Sequence, residues 1–157
     1  MNTPRPTTLV RKFLECLLLA GAAGLLLRAT WLPVIEIKGF DTFTLETVAM
    51  WATRAARVIL GIALGCLLLR PLTVARWWMA LAVGILLSPL ADMAIRAQDL
   101  TQMMKTSGTA DVSGLIVLRA GAWVCLAGLA LWLLDIVRVV GAALTTALGK
   151  PGQRAGQ

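Results

Sequence analysis

Apolar residues fall in four long runs, at 9–28, 48–70, 77–96 and 112–138, separated by short polar segments. Each run is close to the roughly 20 residues a helix needs to cross a bilayer. The pattern predicts an all-α integral membrane protein, a bundle of four transmembrane helices in one membrane domain over 1–157. The second apolar core is short, so its helix is expected to start near Val48 and to carry Arg54 and Arg57 in its outer turns. The first run has the form of a signal peptide, with Arg11 and Lys12 ahead of it. Glu15 early in the run and the lack of a small-residue exit after Arg28 predict a retained span instead.

Between the first two spans, Val34-Ile35-Glu36-Ile37-Lys38 alternates like a strand, and Thr42-Phe43-Thr44-Leu45 can return after Gly39-Phe40-Asp41. A short extracytoplasmic hairpin-like loop is expected there, resting at headgroup level with Trp31, Phe40, Phe43 and Trp51 as an aromatic belt. Residues 98–105 read as a prolongation of the third helix, and Asp111 or Ser113 as the N-cap of the fourth. Gly149 and Pro151 mark a stop, leaving a free tail over 149–157.

Composition strengthens the membrane reading: 59% of the chain is hydrophobic and only 15% charged. Fifteen Lys and Arg against eight Asp and Glu leave a charge of +7. The cations are scattered among apolar runs, which argues against a nucleic-acid footprint. With the N-terminus inside, Arg5, Arg11, Lys12, Arg70, Arg76, Arg138, Lys150 and Arg154 face the cytoplasm. Arg28, Lys38, Arg54, Arg57, Arg96 and Lys105 face outward. This bias, and the acid-free loop between Arg70 and Arg76, predict both termini on the cytoplasmic side. The layout resembles small bacterial four-span inner-membrane proteins whose first outer loop carries Leu-Pro and then a Gly turn, here Leu32-Pro33 and Gly39. That resemblance implies a bacterial inner (cytoplasmic) membrane.

Candidate chemistry is sparse. The chain has no His, so no Ser-His nucleophile exists to activate Ser88. Cys16, Cys66 and Cys125 lie one per span without metal-ligand spacing. No catalytic, cofactor or metal residues are predicted. The polar leads are Asp92, Arg119 and Arg57, which helix rise places at similar outer-leaflet depth as a possible intramembrane pair. Asp92 also has Arg96 four residues on, a local alternative. Glu15 can pair with Arg11 or Arg70, and Asp135 with Arg138.

Packing signals are stronger than chemical ones. Gly61 and Gly65 form a GxxxG pair, and Gly114, Gly121 and Gly128 recur every seven residues with Asp135 next in the series. Small residues in such phase let helices approach closely. The expected function is a non-catalytic membrane subunit packing by these glycine-lined faces into a larger assembly or onto itself, its other partner being the bilayer. The alternative is a small homo-oligomeric transporter or channel using Asp92 and Arg119.

Overall fold

The computed structural model describes residues 6–37, 42–69, 71–106 and 116–148. The chain is mostly helical. In order come α1 (Pro6–Ala29), β1 (Pro33–Ile37), β2 (Thr42–Thr44), α2 (Leu45–Val48), α3 (Met50–Leu69), α4 (Leu72–Thr106), β3 (Ile116–Leu118) and α5 (Ala120–Leu148). Three helices are long and apolar enough to cross a membrane: Met50–Leu69, Leu72–Arg96 and Ala120–Thr146. In α1, Arg11, Lys12, Glu15 and Arg28 shorten the uninterrupted apolar stretch.

The helices bury seams with spacings of three and four residues. On α4 the buried positions are Ala75, Met79, Ala82, Val83, Leu86, Pro89 and Met93, and on α3 they are Thr53, Ala56, Leu60 and Ala63. On α1, Leu19, Ala22, Leu26 and Ala29 repeat the rhythm, and on α5 Gly121, Cys125, Gly128 and Asp135 do. A repeat averaging 3.5 residues keeps one stripe facing a neighbour along a left-handed crossing. Ala and Gly on these stripes bring the backbones together, and Leu and Met fill the space between. The main pairings are α1 on α5 and α3 on α4, joined by α1 against α3. Pro89 lies buried in its seam, where its ring removes one hydrogen bond from α4.

One end of the bundle is closed by a three-stranded antiparallel sheet in the order β2-β1-β3. β1 pairs with β2 through Ile35 opposite Phe43, and with β3 through Ile35 opposite Leu118. This corrects the all-α expectation. Residues 116–118 are a strand rather than the opening turns of the fourth helix, which starts at Ala120. An apolar Ile-Val-Leu run continuous with a helix has no period to separate the two; the open edge of β1 provides the partner. The third helix spans 72–106 rather than 77–96, so residues 98–105 do prolong it. The 39–41 turn, the Asp111 or Ser113 cap, Gly114, Arg70 and the tail over 149–157 lie outside the described residues.

Candidate functional site

The structure does not bring Asp92, Arg119 and Arg57 together. Asp92 is 57% exposed and pairs with Arg96 one turn along α4 at 3.5 Å. Arg119 is not seven residues inside a helix but just ahead of α5. Its backbone N–H donates to the Val34 carbonyl at 2.9 Å, and its guanidinium pairs with Glu36 of β1. The displaced start of the last helix, set by β3, accounts for this correction.

Arg57 organises the junction at the sheet end. Its Nε donates to Thr30 Oγ1 at 2.9 Å and its Nη2 to the Thr30 carbonyl at 2.8 Å. The same guanidinium lies 2.8 Å from Glu46 and stacks 4.6 Å above the Trp31 ring. A guanidinium suits this place because it serves a carbonyl, a hydroxyl, a carboxylate and a ring face at once. Glu46 is brought there by α2, whose first turn is capped by Thr44 accepting from the Thr47 N–H. Thr53, buried on α3, donates to the Leu45 carbonyl at 3.0 Å and fixes α2 against α3.

Hydrogen bonds first from Arg57 and then from Arg54 hold the Glu46 carboxyl below its ordinary value near 4.5. A depressed carboxylate adds stability that is complete above its unfolded pKa and is lost as pH falls through the folded one. Wild-type protein should therefore be more heat-stable than Glu46→Gln at neutral pH, and the gap should close between about pH 5 and pH 3. Melting followed by circular dichroism across that range checks this; a constant gap refutes the ion-pair account.

At the opposite end sits a buried charge cluster that sequence reasoning divided wrongly. Asp135 is 1% exposed and is held by Arg76 through two bonds, Nε to Oδ2 at 2.8 Å and Nη2 to Oδ1 at 3.0 Å. Arg76 Nη2 also donates to Glu15 at 3.2 Å, and Glu15 is paired with Arg11 on α1. One arginine on α4 therefore ties α1 to α5; Arg70, the cross-bundle partner that the sequence offers Glu15, lies outside the described residues. The Glu15–Arg11 pair forms as anticipated, whereas Asp135 takes Arg76 rather than Arg138. A signal was present, since Asp135 continues the heptad of Gly121 and Gly128, and a position on a buried stripe must find its partner across the interface.

The glycines divide by role. A Cβ on Gly121 would lie 2.6 Å from the Pro33 carbonyl oxygen and 2.8 Å from that of Leu32. On Gly128 it would meet Leu26 Cγ at 2.8 Å. Both are contact points for the chain ahead of β1 and for α1. Gly61 and Gly65 are different, with nothing within 4 Å of a Cβ, so they face outward.

Among the described residues, α4 and α5 do not pack closely, and two cavities lie between them. The one beneath the sheet, about 300 Å³, is lined by apolar side chains including Val34, Leu90, Met93, Ala122 and Leu129. The other, about 220 Å³, is bordered by Arg76, Trp77, Ala80, Trp132 and Ile136. Cys125 is buried beside the first, and Cys16 and Cys66 lie on other helices. No group of three or more metal-ligating side chains converges among the described residues.

The fold and the charge pattern thus define a helical protein with membrane-length apolar helices, internally braced by ion pairs at both ends. No protein family, curated protein or solved structure matches this chain.

Proposed function

We propose that the chain is a non-catalytic integral membrane subunit that packs through the glycine-lined face of α3 into a larger membrane assembly. In this reading α1, α3, α4 and α5 are four spans in a bacterial inner membrane, the sheet is extracytoplasmic and both termini are cytoplasmic. α1 counts as the fourth span because it packs beside α5 and α3 from Leu19 to Ala29 despite its flanking charges.

The observation that carries the proposal is the open Gly61/Gly65 pair. Glycine costs a helix about 1 kcal/mol relative to alanine, and among the described residues nothing lies within 4 Å of a Cβ at either position. Val58 and Ile62 flank them on the same exposed face. Such a groove admits a second helix backbone closely, the usual use of GxxxG in a bilayer. A conducting oligomer built on Asp92 and Arg119 lacks comparable support, since each is satisfied by a neighbour elsewhere.

Extraction of the native protein in mild detergent is the test. A second chain, or a defined oligomer, should co-purify and be lost on Gly61→Leu/Gly65→Leu substitution, while helix content stays constant. A lone monodisperse monomer from the native membrane would sink the proposal.

A further inference from the structure

The opening between α4 and α5 has a polar end and an apolar end. Arg76 binds its two carboxylates through Nε and Nη2, and Nη1 makes no hydrogen bond among the described residues. The Arg76 side chain is 22% exposed. Arg76 borders the 220 Å³ cavity together with Trp77 and Trp132. An indole N–H is a donor with no acceptor capacity, so this rim offers hydrogen-bond donors of two kinds.

The charged groups around it come from three helices. Arg11 and Glu15 stand on α1, with Lys12 on the adjoining turn; Arg76 stands on α4; Asp135 and Arg138 stand on α5. With Lys12 included, four cations stand against two carboxylates, which leaves this end net positive among the described residues. From Arg76 to Leu90, where the second cavity begins, the helix rises about 21 Å at 1.5 Å per residue. The two openings along that rise differ in lining, Arg76 and two tryptophans at one and apolar side chains with Cys125 at the other.

We propose that the α4–α5 cleft is a binding site for an anionic glycerophospholipid of the surrounding bilayer. Its phosphate meets Arg76 Nη1 and the tryptophan rim, and one acyl chain lies along the cleft toward Leu90 and Leu129. Basic pockets between membrane helices recognise such headgroups through the same combination of charge and hydrogen bonding. An apolar cavity offers water no partners, which leaves hydrocarbon as its natural filling. The proposal rests on the membrane-spanning reading but not on the glycine face, so the two can fail separately.

Native mass spectrometry of the full-length protein in mild detergent provides the test, with phosphatidylglycerol and phosphatidylethanolamine of identical chains as probes. Phosphatidylglycerol should bind roughly fivefold more tightly or better, the size expected for one basic group at a membrane surface. Ala80→Phe, which fills the polar end from an exposed position one turn along from Arg76, should bring the two lipids to parity with the melting temperature unchanged. Ala94→Phe at the apolar end should weaken both lipids equally. Equal binding of the two lipids by wild type, or a preference indifferent to Ala80→Phe, overturns the proposal. So does a dimer that Ala80→Phe dissociates without any change in lipid binding.

Discussion

Arg76→Met should destabilise the protein by about 3–5 kcal/mol, the cost of leaving a buried carboxylate without its partner. Asp135 is almost fully enclosed and both its oxygens are bound by that one guanidinium. Its second helix-to-helix consequence is mechanical, because Glu15 on α1 shares the same arginine. The informative control is the double variant Arg76→Met/Asp135→Leu. Removing both charges replaces an ion pair by hydrocarbon of similar volume, which is often neutral or stabilising. The double variant should therefore recover most of the loss, Glu15 keeping Arg11 as its partner. Unfolding in a graded mixture of mild and harsh detergents, followed by circular dichroism, gives the four corners of the cycle. If Arg76→Met costs less than about 1 kcal/mol, in the range of an exposed surface pair, Asp135 is not the buried charge described above.

Gly121→Ala should be nearly as damaging, by about 2–4 kcal/mol, and for a different reason: the added methyl group overlaps backbone rather than side chain. The Leu32 and Pro33 carbonyls cannot rotate aside as a Leu side chain can. They also lead directly into β1, which holds β3 and the Arg119 N–H. Gly128→Ala meets Leu26 at its side chain first, Cγ at 2.8 Å, with the backbone nitrogen farther off at 3.2 Å, and should cost less. The same detergent titration ranks the two, and the order is the prediction: equal losses would mean that the α5–β1 approach is looser than the distances indicate.

Much of the bundle was readable from the chain because membrane helices announce themselves by length and apolarity. Gly121 and Gly128 were identified as packing positions from their seven-residue spacing alone, and each meets a neighbour in the fold. Gly61 and Gly65 were identified by the same logic yet face outward, since small residues report that a face is shallow and not which partner covers it. β3 was hidden because a three-residue apolar strand has no period of its own and exists only through the open edge of β1. Depth estimated from helix rise misled at Arg119 once the helix start moved. Arg57, expected in the same layer as Asp92 and Arg119, instead has Trp31 and Glu46 gathered around it. Asp135 was the instructive case: its heptad phase carried the message of burial, and the nearer Arg138 obscured it.

The extensive pairing of α1 with α5 has a consequence for the order of synthesis. α1 leaves the ribosome well before its chief partner α5, and between them α3 and α4 find each other as sequence neighbours. Until α5 arrives, the Leu26 face has no Gly128 to receive it and Arg76 has only Glu15 to hold. The β1–β3 ladder cannot close either, because its second strand immediately precedes α5. Contacts so distant along the chain form late. Between the completion of α4 and that of α5, the newborn protein therefore holds an α3–α4 hairpin with α1 beside α3. Completion of α5 is the event that brings Asp135 to Arg76 and Gly128 to Leu26.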